Sequence, residues 1–300
     1  MIENKYPSEK HKFNESESIH TEKGTVINCI TCGFKHLYPF PNLPELKEFY
    51  EKKYIDSLEK INIEEKINTL ENLLIDKEKK NILDIGCSDG SLLSIFKQKN
   101  WDVLGIEPGK TAANIAKGRN LPILECFAEN ASTQLKNMNL LNCFSVVNLS
   151  YILEHILNPI ELLEIIKNDF LAKDGILSIT VPNDFNAFQE SAVNSLNIPK
   201  WWIAIPDHIN YFNFASLTSL IKRIGFSIEH VTTSFPIEMF LLFGDNYIGN
   251  PEIGKMCHQK RINFENALHK SGNTDLLKNF YYSFANLGIG REIQVYARKL

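Results

Sequence analysis

The chain lacks any long apolar run. Its 300 residues contain no uninterrupted stretch of about twenty apolar side chains, which is the length needed to cross a lipid bilayer. Residues 1–18 are polar and charged, and they have none of the apolar centre of a secretory signal. We therefore expect a protein that stays in the cytoplasm and crosses no membrane.

A strong excess of one charge is missing as well. The chain has 32 Lys and Arg against 36 Asp and Glu, a net charge of −4, and no basic cluster that would mark a surface for nucleic acid or anionic lipid. Its six cysteines are scattered, which argues against a disulfide framework. We expect a small-molecule substrate, with neither nucleic acid nor membrane as a partner. The sequence does not indicate the oligomeric state.

The most informative stretch that is present is Asn81–Leu93, with the sequence NILDIGCSDGSLL. An apolar run ends at Ile85, small and polar residues follow from Gly86 to Gly90, and helical spacing then resumes, which predicts a strand, a tight turn and a helix. A second apolar run ends about twenty residues later at Glu107, where nucleotide-binding α/β proteins hold the ribose hydroxyls. The turn and the acid together predict a nucleoside ligand.

Three known signatures fit parts of this turn. The dinucleotide fingerprint Gly-x-Gly-x-x-Gly requires glycine where the chain has Ser88 and Ser91, which disfavours NAD and FAD. The run Gly86-Cys-Ser-Asp-Gly90 matches the nucleophile elbow of serine hydrolases, although neither earlier strands nor an oxyanion-hole loop precede it. The third pattern, Leu-Asp-Ile-Gly-Cys-x-x-Gly followed by Glu107, resembles motif I of the class I S-adenosylmethionine-dependent methyltransferases.

A second segment extends this resemblance. Residues 144–159 read FSVVNLSYILEHILNP and are similar to the Phe-Asp-x-Val … Leu-Glu-His-x-x-x-Pro segment of small-molecule methyltransferases, with Ser145 in place of the usual Asp. The resemblance covers roughly residues 78–232 and 291–300. It implies S-adenosylmethionine (SAM) as cofactor and S-adenosylhomocysteine as product.

Strand and helix patterns alternate from Asn81 onward, as a parallel sheet requires. With the resemblance, this predicts an α/β, Rossmann-like, doubly wound, mostly parallel seven-stranded sheet with an antiparallel last strand, an N-terminal segment and helical insertions. Strands are expected near 81–86, 102–107, 121–126, 144–149, 175–181, 226–231 and 292–297. We assign an N-terminal tail and helical cap to 1–58, the core to 59–234 plus 290–300, and acceptor-side lid insertions to 184–214 and 235–289.

Ligands of open parallel sheets bind at the carboxyl ends of the strands, so the residues after the first four strands should line one pocket. Glu107 is expected to accept from both ribose hydroxyls. Asp84 and the Gly86 backbone should meet the amino acid end of the cofactor, and Asp89 could do so through water. Ala128 and Glu129 should border the adenine. The other expected cofactor-binding residues are Cys87, Ser88, Gly90, Pro108, Asn148, Leu149 and Tyr151.

His208 and His155 are the candidate catalytic bases, because histidine titrates near neutral pH. His208 lies in Asp207-His-x-x-Tyr-Phe212, which resembles the Glu-His-x-x-Tyr-Tyr segment of sugar C-methyltransferases, where that histidine takes part in catalysis. A structural, hydrogen-bonded histidine is the alternative for either residue. The expected acceptor-binding side chains are Trp201, Trp202, Tyr211 and Tyr50, with subdomain core as the alternative.

Two metal sites are considered, and none is predicted. Quinone-pathway O-methyltransferases resemble the segment around Glu154 and His155 and place a divalent metal there, but their first Glu is Tyr151 in this chain. Cys29-x-x-Cys32-Gly is typical of zinc ribbons, yet no second cysteine pair follows, and His11, His20 and His36 are irregularly spaced. The spacing therefore favours an ordinary turn with free thiols. Related methyltransferases carry a similar Cys-x-x-Cys-Gly segment near the N-terminus.

These patterns predict a SAM-dependent methyltransferase acting on a small polar acceptor, preferably a hydroxyl of a sugar or nucleotide-linked sugar in surface-polysaccharide tailoring. An O-methyltransferase of another small metabolite, similar to those of the quinone pathway, is the alternative. A serine hydrolase using Ser88, with Asp207 or Glu229 and His230 or His258, is the alternative from another class. A non-catalytic nucleoside-binding protein is a third.

Overall fold

The structure is a computed structural model that describes residues 11–41, 61–74 and 80–300. It contains two sheets, whose strands are numbered here in chain order. Residues 42–58 of the expected helical cap, including Tyr50, lie outside the described residues. The strands are β1 Ile19–Thr21, β2 Gly24–Cys29, β3 Phe34–Tyr38, β4 Asn81–Ile85, β5 Asp102–Ile106, β6 Ile123–Leu124, β7 Phe144–Ser150, β8 Leu171–Pro182, β9 Asn210–Tyr211, β10 Phe226–Thr232 and β11 Glu292–Lys299.

The larger sheet has seven strands in the order β10-β11-β8-β7-β4-β5-β6. The pairs β8-β7, β7-β4, β4-β5 and β5-β6 are parallel, whereas β11 runs antiparallel to both of its neighbours, β8 and β10. This confirms the predicted fold class, including the antiparallel last strand. The third parallel strand is shorter than expected, with only two residues in β6.

Helices cover both faces of this sheet, which is why its central strands are apolar along their length. On one face, Ile82 and Val146 pack against Ile67 and Phe96 from two helices. The other face packs against the helices in 131–170 and 214–224. The helices are α1 Ile61–Leu73, α2 Ser91–Gln98, α3 Lys110–Gly118, α4 Ala131–Asn137, α5 Pro159–Ile165, α6 Ala187–Leu196, α7 Phe214–Ile224, α8 Glu238–Leu242, α9 Pro251–Lys270 and α10 Thr274–Asn286.

The insertion assigned to 184–214 contains a ten-residue helix, α6. Asn186 accepts from the backbone N–H of Gln189 at 3.0 Å, and the Gln189 side chain accepts from the Asn186 N–H at 3.3 Å. This reciprocal capping box starts the helix. The Asn-x-x-Gln spacing in the sequence therefore indicates the start of this helix. The insertion expected at 235–289 is helical, as predicted, and consists of α8, α9 and α10.

The smaller sheet was not predicted. Its strands lie in the order β1-β2-β3-β9, so β9 is an edge strand. The register pairs Lys35 of β3 with Tyr211 of β9, 176 positions later in the chain. Residues 11–21 lie largely at the surface. They form a 3₁₀ turn, Glu15–Glu17, and β1. Short polar strands give little apolar alternation, which explains why the sequence did not reveal them.

All six cysteines are free thiols. Among residues 11–41, 61–74 and 80–300, no helix combines the length and the apolar character needed to cross a bilayer.

Candidate active site

The turn after β4 lies at the carboxyl edge of the large sheet, beside the end of β5. The Gly86 N–H donates to the Ile106 carbonyl at 2.8 Å, which joins the turn to the neighbouring strand. Gly86 and Gly90 have φ angles of 69° and 73°, a left-handed conformation that favours glycine. A Cβ on Gly86 would lie 2.1 Å from Ile152 Cδ1, and one on Gly90 would lie 2.3 Å from Leu121 Cδ1. Both glycines are therefore required by conformation and by packing.

Glu107 closes this turn through both of its carboxylate oxygens. Oε2 accepts from the Ser88 N–H at 2.9 Å, and Oε1 accepts from the Gly109 N–H at 2.7 Å. Burial raises the pKa of Glu107, while these two backbone hydrogen bonds oppose the shift. A carboxylate offers about four lone-pair positions, so each oxygen can still accept from a ligand hydroxyl. The geometry fits a ribose held by its two hydroxyls.

A buried polar network lies beneath the turn. The Asn148 amide donates to Asp84 Oδ1 at 2.6 Å, and Asn148 Oδ1 accepts from the Lys66 ammonium at 3.0 Å. Lys66 also donates to Ser150 Oγ at 2.9 Å and to Thr180 Oγ1 at 3.2 Å. These three bonds use all three ammonium protons, so Lys66 fixes the strand ends rather than a ligand.

The network shifts the pKa values of its two charged groups in opposite directions. Burial raises the pKa of Asp84 to about 6, although the Asn148 hydrogen bond and the Lys66 charge pull it down. Burial lowers the pKa of Lys66 to about 8, with the carboxylates of Asp84 and Glu292 opposing the change. Lys66 was missed in the sequence. Its signal was a lysine on the apolar face of α1, three residues after Ile63 and four before Leu70.

The remaining expected cofactor residues have different surroundings. Asp89 accepts from the Ser91 N–H at 3.0 Å and pairs with Arg119 at 2.7 Å, so its carboxylate serves the start of α2. Ala128 is buried and Glu129 exposed at the head of a 3₁₀ turn. Cys87 and Leu149 are buried, whereas Pro108 and Tyr151 are exposed.

The candidate bases His155 and His208 lie together, although they are 53 positions apart. Their ring centroids are 5.1 Å apart in an edge-to-face arrangement. His155 Nδ1 is 2.7 Å from the Asp207 carbonyl oxygen, which can only accept, so this nitrogen carries the proton. His155 Nε2 is 3.9 Å from Glu154 Oε1. Burial raises the pKa of Glu154 well above its usual value, with Asp184 and Asp207 adding to the shift.

Aromatic side chains lie beside these histidines. The Tyr211 ring centroid is 6.3 Å from that of His208. Phe185, which the sequence reading missed, contacts both Trp202 and Tyr211, with centroids 5.5 and 5.9 Å apart. Trp201 packs edge-on against Trp202 at 4.9 Å. The structure thus brings Trp201, Trp202 and Tyr211 into one cluster, while Tyr50 lies outside the described residues.

Comparison with known proteins identifies the family. Residues 58–231, more than half of the chain, match the model of a methyltransferase domain. The chain belongs to this family. It is a SAM-dependent methyltransferase, as its motifs predicted, and SAM is its cofactor.

Solved structures are also similar to this methyltransferase. A SAM-dependent methyltransferase from Archaeoglobus fulgidus is 15% identical, with a TM-score of 0.48 over 86% of this chain and 100% of that chain. The plantazolicin methyltransferase BamL, crystallised with a triazolic desmethylPZN analog and SAH, is 16% identical, with a TM-score of 0.49 over 86% and 91% of the two chains. The plantazolicin methyltransferase BpumL, in complex with SAH, is 18% identical, with a TM-score of 0.46 over 87% and 91%. No curated protein sequence matches the chain.

The surroundings of Ser88 do not support the alternative of a serine hydrolase. Ser88 Oγ is buried and has no hydrogen-bond partner among the described residues, so no histidine is placed to activate it. His230 instead stacks on Tyr282, with centroids 6.1 Å apart, and Glu229 pairs with Arg298 at 3.3 Å.

Glu154, His155 and His208 present ligand atoms within 4.8 Å of one another. These three side chains could hold a divalent metal beside Tyr211. Tyr151, which stands where the quinone-pathway enzymes have their first Glu, hydrogen-bonds the Glu292 carboxylate. The ligand set of those enzymes is therefore not reproduced, and the expectation that no metal binds here stays a prediction.

Proposed function

We propose that this methyltransferase transfers the SAM methyl group to a hydroxyl of a small polar acceptor, preferably a sugar or nucleotide-linked sugar. The observation that carries the proposal is the His155–His208 pair beside an aromatic cluster at the carboxyl edge of the sheet. A hydroxyl is a poor nucleophile until it loses its proton, and neutral histidine is suited to accept one. SAM supplies a methyl group activated by its sulfonium.

In this proposal, Glu107 holds the ribose hydroxyls of SAM, and Asp84 faces the ammonium group of its amino acid end. Asp84 is 4% exposed and is fixed by Asn148, which is in turn fixed by Lys66. Such a pre-positioned carboxylate loses little entropy on binding a cation. The residues of this edge would therefore hold SAM by its ribose and by its amino acid end, and SAM would supply the methyl group.

We infer that His208 is the base and His155 its positioning residue. The proton on His155 Nδ1 is directed at the Asp207 backbone, and the opposite ring nitrogen faces Glu154. Burial raises the pKa of Glu154, which favours the uncharged form of the carboxyl beside His155. His155 is thus held through Nδ1, and its ring packs edge-to-face against that of His208.

Buried polar atoms near the aromatic cluster support a hydroxyl-rich acceptor. Asp184 Oδ2, Glu238 Oε2 and Trp202 Nε1 are buried and have no hydrogen-bond partner among the described residues. Burial raises the pKa of both acids, and the charge of Arg291 opposes the shift. Unpaired buried polar groups are costly, and sugar hydroxyls both donate and accept. Aromatic faces such as Trp201 suit the apolar face of a sugar ring.

The test is release of S-adenosylhomocysteine from SAM with two acceptor panels, one of nucleotide sugars and one of catechols and quinols. We expect acceptor-dependent release with a nucleotide sugar and a methyl group on its oxygen by mass spectrometry. Release with the phenolic panel alone would contradict the sugar preference, and a carbon- or nitrogen-linked methyl would contradict the hydroxyl. A parallel arm with EDTA distinguishes general-base from metal-assisted transfer by the Glu154, His155 and His208 cluster.

A further inference from the structure

The smaller sheet brings together four side chains that zinc prefers. Cys29 ends β2, Cys32 lies in the following turn, and His36 is on β3. His11 reaches them from the preceding segment, which is tied to this turn by the hydrogen bond from the Ile30 N–H to the Lys12 carbonyl at 2.8 Å. One ligand atom of each lies within 4.8 Å of the others.

The separations match the edges of a tetrahedron around zinc. Zinc lies about 2.3 Å from thiolate sulfur and about 2.0 Å from imidazole nitrogen, which places sulfur and nitrogen about 3.5 Å apart in tetrahedral geometry. His11 Nδ1 is 3.4 Å from Cys29 Sγ and 3.5 Å from Cys32 Sγ. One nitrogen thus stands at ligand spacing from both sulfurs.

His36 gives an independent indication. Its Nδ1 lies 2.9 Å from the Leu37 carbonyl oxygen and must donate to it, so Nε2 carries a lone pair. The side chain is 0% exposed, and Nε2 has no hydrogen-bond partner among the described residues. Histidines that bind metals commonly donate their second ring N–H to a carbonyl in this way.

Zinc binds imidazole through an unprotonated ring nitrogen and cysteine through the thiolate. The Nε2 atom of His36 has the lone pair that this requires, and a bound ion would displace the thiol protons of Cys29 and Cys32.

We propose that His11, Cys29, Cys32 and His36 bind a structural zinc ion that fixes the N-terminal sheet to the acceptor side of the enzyme. His36 pairs with Asn210 in β9, and the Leu37 N–H donates to the Ile209 carbonyl at 2.8 Å. From the other side, Arg223 of α7 donates to the Cys32 carbonyl at 2.7 Å. The ion would thus order the strand that follows directly after His208, although it does not touch the acceptor.

The test measures metal in the full chain, purified without an affinity tag or chelators. We expect about one zinc per chain by mass spectrometry. After replacement by Co(II), we expect the visible bands of a tetrahedral site and a thiolate-to-cobalt charge-transfer band. Cys32→Ser and His36→Gln should lose the zinc and the bands, whereas His20→Gln, at an exposed histidine bonded to Thr25, should keep both. Wild-type protein that neither contains zinc nor takes up Co(II) would overturn the proposal.

Two further measurements remain decisive if a cysteine variant fails to fold. In the wild type, a mercurial reagent should release the zinc in step with thiol modification, and release of zinc without thiol modification would contradict the site. A metal held by Glu154, His155 and His208 would lack the charge-transfer band, so His208→Ala should keep it. Removal of zinc should speed hydrogen exchange in β3 and β9. The SAM affinity of the zinc-free protein should stay within about twofold of that of the zinc-loaded protein. Unchanged exchange there would refute the ordering role.

Discussion

Two polar regions of this methyltransferase differ in how their buried groups are hydrogen-bonded. We call the region around Glu107 and Asp84 the cofactor edge, and the region around Asp184 and Glu238 the acceptor edge. On the cofactor edge, Glu107 and Asp84 have backbone or side-chain partners within 3 Å. On the acceptor edge, Asp184 and Glu238 each keep a buried oxygen without a hydrogen-bond partner among the described residues. The two carboxylates of the first edge are thus fixed by the protein itself, although Ser88 Oγ in the same turn is also buried without a partner among the described residues. The second is built from distant segments, and we infer that its polar groups find their partners in the acceptor.

The largest expected effect is that of His208→Ala, which should impair turnover but not cofactor binding. We predict that His208→Ala lowers kcat by about 10²–10⁴-fold, the usual contribution of a general base, and leaves SAM affinity unchanged by calorimetry. His230→Ala is the matched control, because the ring of His230 in β10 stacks on Tyr282 of α10 and not on His155 or His208. Undiminished turnover of the His208 variant, measured on the acceptor found in the panel, would return this residue to a structural role.

The second largest expected effect concerns the buried hydrogen-bond network of Lys66. Lys66→Met should lower the free energy of unfolding by about 3 kcal/mol, because it leaves the buried partners of the ammonium uncompensated. Lys117→Met, which removes a solvent-exposed ion pair with Glu125, should cost at most about 1 kcal/mol. Urea denaturation measures both. Equal losses would mean that the Lys66 network does not stabilise the strand ends.

The smallest expected effect is a pH dependence confined to the cofactor edge. With the pKa of Asp84 near 6, raised by burial and by Glu107 and lowered by Asn148 and Lys66, the carboxylate is charged above pH 6 and protonated below it. SAM affinity should therefore be constant above pH 6 and fall about tenfold per pH unit below it. Calorimetry across this range checks the slope. A slope that persists in Asp84→Asn would assign the titration to another group.

The same contrast explains how much could be predicted from the sequence. The cofactor edge arises from consecutive residues, so Gly86 to Gly90 and Glu107 were identifiable from local spacing. Lys66 was missed because its partners lie at least 82 positions away. The pairing of β3 with β9 and the gathering of His11 with Cys29, Cys32 and His36 depend on register between distant segments. The spacing of Cys29 and Cys32 marked them as a pair, but it could not show which histidines the fold brings to them.

Binding of S-adenosylhomocysteine tests the central claim most directly. We predict that the wild type binds it in calorimetry and that Glu107→Ala weakens the affinity at least about tenfold, because a hydrogen bond to a charged group contributes about 1.5–3 kcal/mol. Glu125→Ala, at the end of the neighbouring strand, should bind as the wild type does. Equal affinity of a folded Glu107→Ala variant would contradict a nucleoside site between Gly86 and Glu107.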